Sequence, residues 1–177
     1  MLSSIINTLL FIGIFIPQLI GASEKNEKTG DILQIVIPTI GLGSTIFYEK
    51  ELKGTKQFFK SLITTALITK SLKIATRKQR PNGECCQSFP SGHTSVAFMG
   101  AAFIHKRYGW KYSIPSYVGA TFVGYSRVQV DKHFVEDVIA GAAVGILSSF
   151  YFTKPYKGFI IDITITNGYE IYLSQTL

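Results

Sequence analysis

Apolar residues recur in long runs along this chain, with short polar stretches between them. A transmembrane helix needs about 20 apolar residues, or about 17 at the short end. Six segments approach that length: 5–20, 32–48, 58–72, 91–105, 114–130 and 134–152. They predict an all-α, multi-span transmembrane bundle of about six helices. Several are short, so polar residues at their ends should reach outwards, or surround a site recessed below the membrane surface. Asp31 stands where an N-cap of the second segment would be. Pro38, Gly41 and Gly43 should kink or narrow that helix. Ala97/Ala101 and Gly141/Gly145 are pairs of small residues, four apart, that let helices approach closely. A soluble bundle is the alternative, but six such segments in 177 residues leave too little polar surface to clothe one.

The two ends of the chain read differently. Segment 5–20 is either a retained first helix, the favoured reading, or a cleaved signal peptide. The stretch before it carries no Lys or Arg, and Ile20 is a poor residue three positions before a break at Ala22. In the tail the period changes from helix to strand. Residues 159–166 alternate, Asn167 and Gly168 form a turn signal, and 169–173 alternate again. A three-residue turn would pair Ile165 with Ile171 and Ile163 with Leu173, keeping the apolar face together. The expected organisation is therefore a transmembrane domain over 1–157 and a C-terminal β-hairpin over 158–177.

Composition sharpens this picture. Hydrophobic residues make up 46% of the chain and charged residues only 16%. Soluble domains carry about 25% charged residues. Mean hydropathy is +0.25. Disorder, a disulfide-stapled mini-protein and a soluble nucleic-acid binder are all disfavoured. Yet 18 Lys and Arg oppose 11 Asp and Glu, a net +7. Part of that excess orients the helices. Lys50, Lys53, Lys56 and Lys60, then Lys106, Arg107 and Lys111, then Lys154 and Lys157 fall on one side if every segment crosses. That side is cytoplasmic by the positive-inside rule. Stretches 24–31, 73–90 and 127–133 then face the periplasm or exterior.

The outer stretches hold the unusual polar residues. Lys70, Lys73, Arg77 and Arg80 are spaced to form one stripe on an extended third helix, which Arg80-Pro81 should end. Such a stripe needs water, anionic headgroups or a bound anion; for Lys70 and Arg77, snorkelling onto lipid is the plain alternative. Ser91, Gly92 and His93 open the fourth helix, where free N–H groups and the helix dipole attract an anion. His93 is suited to proton transfer near neutrality. Arg127 ends the fifth segment and His133 opens the sixth, with Asp137 one turn later on the same face. A carboxylate bonded to one imidazole nitrogen would fix the tautomer and make the other nitrogen a nucleophile. Lys78 and Lys132 add further charge. Two His, Asp137 and the Cys85-Cys86 pair lack compact metal-ligand spacing, and the surrounding cations would repel a metal, so no metal and no cofactor are expected. For Cys85 and Cys86, free thiols, an intermolecular link and a redox effect on the loop stay open.

Lys73-x6-Arg80-Pro81, then Pro90-Ser91-Gly92-His93, then Ser126-Arg127-x5-His133-x3-Asp137 resembles the three-part signature of the type 2 phosphatidic acid phosphatase (PAP2) superfamily. The resemblance implies a metal-independent lipid phosphatase working through a phosphohistidine. His133 would attack phosphorus, oriented by Asp137, and His93 would protonate the leaving oxygen. Lys73, Arg80, Ser91, Gly92 and Arg127 would hold the phosphoryl oxygens, with Lys70, Arg77, Lys78 and Lys132 as secondary cations. The implied partner is a phospholipid-type substrate within the bilayer of a bacterial inner membrane, not nucleic acid, with the site facing the periplasm. The chain looks most like small bacterial lipid A 1-phosphatases. Undecaprenyl diphosphate and phosphatidylglycerophosphate are rival substrates. The superfamily also resembles vanadium haloperoxidases, which are larger and soluble as a rule. A non-enzymatic binder of anionic lipid would explain the Lys and Arg, but not the two His and Asp137.

Overall fold

A computed structural model describes residues 23–49, 51–156, 160–162 and 172–174. Five helices lie among them: α1 Ser23–Tyr48, α2 Lys53–Thr76, α3 Gly92–Tyr108, α4 Trp110–Gln129 and α5 Val135–Phe152. Small residues decide how they pack. Ala97, Ala101 and Ala102 on α3 are fully buried, so neighbouring backbones come close on several sides of that helix. It packs most extensively on α5 and α4, then on α1, while α2 lies against α5 and α3. The Gly141/Gly145 pair of α5 rests on the α3 backbone. A Cβ at Gly141 would stand 2.5 Å from the Ser91 carbonyl oxygen, and one at Gly145 would collide with that of Ser95. Pro38 lies inside α1 and meets Gly100 of α3, where a Cβ would be 2.7 Å from the Pro38 Cα. Around this scaffold, Phe58 and Phe103 pack edge to face at 5.1 Å, alongside Met99.

The distribution of polarity is the reverse of a soluble bundle. Ser61, Thr65, Thr94, Ser95, Ser113 and Ser149 are fully buried, whereas Ile35, Phe47, Leu67, Val118 and Leu147 are exposed. Apolar surface spread over several helices suits contact with lipid rather than water.

Several expectations are corrected. Predicted segments 32–48, 58–72, 91–105, 114–130 and 134–152 each lie mainly within a helix. Among the described residues, however, two candidate spans replace the expected six: Glu24–Tyr48 and Val135–Phe152. The other helices dilute their apolar residues with Ser, Thr, Gly, His and Lys, and α3 has only 17 residues. Segment 5–20 lies outside the described residues. Asp31 is no N-cap, because α1 begins at Ser23 and carries Asp31 in its interior. Helix α2 stops at Thr76, not at Arg80-Pro81. Arg77 takes the left-handed conformation (φ 45°, ψ 35°), and its N–H caps the Lys73 carbonyl at 3.1 Å. Arg77 and Arg80 therefore leave the helix, and the four-cation stripe does not form.

The C-terminal β-hairpin is corrected too. What the described residues hold is two three-residue strands, β1 Ile160–Asp162 and β2 Tyr172–Ser174, pairing antiparallel with Leu173 opposite Ile161. The expected partner of Leu173 was Ile163, so the register differs by two. The proposed turn at Asn167 and Gly168 lies outside the described residues. Register is weakly specified wherever neither face of a strand pair is committed to a core.

Arg107 was read as part of an orienting surface cluster, yet it is buried. Its guanidinium meets Glu49 at 2.5 Å and 2.7 Å, and the Tyr108 hydroxyl donates to the same carboxylate at 2.8 Å. Arg107 also donates to the Lys154 carbonyl at 2.8 Å. This network ties the ends of α1 and α3 to the chain leaving α5.

Candidate functional site

The site is assembled at the N-terminal ends of α3 and α5, where two loops meet. One loop, 77–91, leaves α2; the other is the short turn from α4 to α5. Asp131 in that turn is left-handed (φ 53°), and its carbonyl accepts from Asn82 N–H at 3.0 Å. Asp tolerates this conformation better than most residues. The loops are thereby stitched together.

Asp137 lies in the first turn of α5 and its side chain is fully buried. One carboxylate oxygen accepts from Phe134 N–H at 3.0 Å and from the Ser88 hydroxyl at 2.5 Å. The other receives the Lys78 ammonium at 2.7 Å. Buried charge of this kind persists only when several donors satisfy it. His133, also buried, stands just before α5, and its backbone N–H donates to the Arg127 carbonyl at 3.2 Å. Its Nδ1 is 3.8 Å from the Asp137 carboxylate and has no partner among the described residues. That separation is too long for a hydrogen bond. The expected His133–Asp137 bond is thus not made. Helical spacing had implied it, but Phe134 is the N-cap and His133 precedes the helix.

Burial pushes the His133 imidazole down to about 4. Lys73 and Arg80 act in the same sense, while the Ser88 backbone and Asp137 oppose them. The ring is neutral at pH 7. Lys73, in the last turn of α2, donates to the Gln87 carbonyl at 2.5 Å. Arg80 pairs with Glu84 at 2.5 Å through Nη1, while its Nε is buried without a partner among the described residues.

Ser91 caps α3. Its hydroxyl accepts from Thr94 Oγ1 at 2.9 Å, and its N–H donates to the Asp137 carbonyl at 2.8 Å. Gly92 follows, with the Lys73 side chain 3.9 Å from where its Cβ would be. Next in the chain, His93 places Nε2 3.1 Å from Asp31. The same Asp31 oxygen accepts from Arg127 Nη1 at 2.8 Å. Arg127 is only 1% exposed, and it also donates to the Glu27 carbonyl at 2.8 Å and the Ser126 hydroxyl at 3.2 Å.

Seven anticipated residues therefore come together: Lys73, Arg80, Ser91, His93, Arg127, His133 and Asp137, with Gly92 at the helix start. The four secondary cations do not behave as one set. Lys70 and Arg77 are exposed, outside the cluster. Lys78 bridges Asp137 and Glu136, its ammonium 4.3 Å over the Phe134 ring. Lys132 is paired with Glu27. Asp31, Ser88 and Glu27 were not anticipated as members of the site. Each reaches a partner at least 49 positions away, so no local spacing could reveal them. Cys85 and Cys86 lie side by side in the 77–91 loop. Among the described residues no three His, Cys, Asp or Glu side chains form a metal-holding group.

Comparison with known proteins gives the family. Residues 55–159 match the PAP2 superfamily. A lipid A 1-phosphatase of Porphyromonas gingivalis is 38% identical over 137 residues, covering 72% of this chain but 30% of that longer protein. A lipid A 4'-phosphatase of Helicobacter pylori strain J99 is 28% identical over 142 residues, covering 74% of this chain and 71% of the relative. The crystal structure of Aquifex aeolicus LpxE superposes with a TM-score of 0.57 at 23% identity, over 68% of this chain and 83% of that one, which is a likeness of fold.

Proposed function

The chain belongs to the PAP2 superfamily, and from that premise we propose that it is a membrane phosphatase that removes phosphate from a lipid through a phosphohistidine, without a metal ion. One observation carries the reading. Lys73, Arg80, Arg127, His93, His133 and Asp137 are gathered from α2, two loops and the ends of three helices, around a neutral imidazole and a buried Arg80 Nε–H that has no partner among the described residues. A phosphoryl group supplies the acceptor that Arg80 lacks.

The chemistry follows from positions and charges. His133 attacks phosphorus through Nε2; the P–N bond forms as the P–O bond to the lipid breaks. His93 gives its proton to the departing oxygen. Positive charge grows on the His133 ring, and the 3.8 Å gap from Nδ1 to Asp137 closes into a hydrogen bond. Such bonds are commonly long before substrate binds. In the second half, His93 takes a proton from water, the water oxygen attacks phosphorus and the P–N bond breaks, returning neutral His133 and free phosphate. Lys73, Arg80 and Arg127 are fixed cations that stabilise the transferring oxygens, the role metal ions play elsewhere. Ser91 contributes by fixing the start of α3, which points its free N–H groups towards the same oxygens.

The favoured substrate is a lipid A 1-phosphate at the periplasmic face of an inner membrane. The 38% identity to a lipid A 1-phosphatase supports the substrate. Lys53, Lys56, Lys106, Lys111 and Lys154 stand at the end of the bundle opposite the site, and that supports the orientation. Undecaprenyl diphosphate and phosphatidylglycerophosphate are the rivals. Purified chain in detergent, with a chelator present, is expected to release phosphate fastest from lipid A 1-phosphate, and His133→Ala is expected to release none. Full release by His133→Ala, or a requirement for added divalent metal, would contradict the mechanism. A faster rate on either rival lipid would move the substrate and leave the mechanism standing.

A further inference from the structure

We propose that Asp31, on α1, is a positioning residue for the proton donor: its carboxylate holds the His93 ring and the Arg127 guanidinium in one arrangement and favours the protonated ring. The inference rests on the phosphatase reading above. Asp31 lies outside the matched stretch 55–159 and outside the three-part motif.

Three features of the structure converge on it. One Asp31 oxygen stands 3.1 Å from His93 Nε2 and 2.8 Å from Arg127 Nη1, joining helices α1, α3 and α4 at one atom. The approach of α1 is close enough to require glycine next door. A Cβ at Gly30 would collide with the Ser126 hydroxyl and stand 3.0 Å from Arg127 Nη2. Finally, the other charges facing the His93 ring are of the wrong sign for a proton donor. Burial first, then Arg127 on α4 and Lys132 in the following turn, hold the His93 imidazole below its ordinary range, and Asp31 on α1 opposes them. Lys132 is itself paired with Glu27 of α1, one turn from Asp31. A general acid must carry its proton before the bond breaks. Asp31 works towards that condition for His93 against burial and the two cations, and it counters the buried Arg127 charge.

Asp31→Asn keeps the shape and removes the charge. With the lipid phosphate, kcat is expected to fall by about 100-fold, with KM changed far less. The basic limb of the pH profile should move down by about one pH unit, because an opposite charge at this distance favours protonation by that order. Asp31→Glu should recover part of kcat. In a measurement that needs no turnover, the NMR titration of the His93 ring in detergent should move in the same direction. Should the wild-type chain release no phosphate, the phosphatase reading falls and the ring titration alone judges Asp31. An Asp31→Asn chain with unchanged basic limb and unchanged His93 titration would overturn the proposal. So would a lower KM at unchanged kcat, which would make Asp31 a competitor for the anion site.

Discussion

At the scale of single residues, nucleophilic attack by His133 requires its ring to be neutral. Its pKa, held at about 4 by burial and by Lys73 and Arg80, leaves the imidazole lone pair free through the physiological range. The acidic limb of kcat/KM should therefore lie near pH 4 to 5, below the ordinary histidine value of about 6.5. Lys73→Met should lower the rate, and it should also shift that limb upward, because one of the charges resisting protonation is gone. A pH profile of the two proteins checks both. Stability follows the same linkage: the unfolded chain binds a proton that buried His133 refuses, so this contribution is lost as pH falls from about 6.5 to about 4. The motif residues were legible in the sequence because chemistry fixes their types and order. Their partners were not. Ser88 and Lys78 reach Asp137 across 49 and 59 positions, and Asp31 reaches His93 from a different helix, so tertiary packing alone brings them together.

At the scale of elements, the helices were legible from apolar runs, while their ends were not. The left-handed turn at Arg77 carries no glycine to announce it, and it converts an expected helical stripe into a loop whose Lys78, Arg80 and Ser88 enter the site. At the other end of α3, the buried Glu49–Arg107 pair was hidden for a related reason: the partners are 58 residues apart. Removing one member of a buried pair typically costs about 3–5 kcal/mol. Glu49→Ala should lower stability by that order in a denaturation titration in detergent. The double change Glu49→Met with Arg107→Met should be far milder, since no charge is stranded. Because about 20 Å of helix α3 lies between this pair and His93, the enzyme that remains folded should keep its kcat.

At the scale of the whole molecule, buried hydroxyls and exposed aliphatic side chains make a body suited to lipid, with a cation-lined site at one end. The net +7 thus has separate uses. Lys73, Arg80 and Arg127 gather at the candidate site, Arg107 is paired at the opposite end of the bundle, and Lys78 and Lys132 are neutralised by nearby carboxylates. Fewer helices are apolar enough to span than the apolar runs suggest, because Ser, Thr and Gly dilute α2, α3 and α4. The central claim is covalent: phosphorus passes through His133. Rapid quenching of the chain during turnover of a radiolabelled lipid phosphate tests it most directly. The account predicts an acid-labile, base-stable phosphoryl group on His133, absent from His133→Ala. Steady turnover with no trapped phosphohistidine, or label on any other residue, would contradict it.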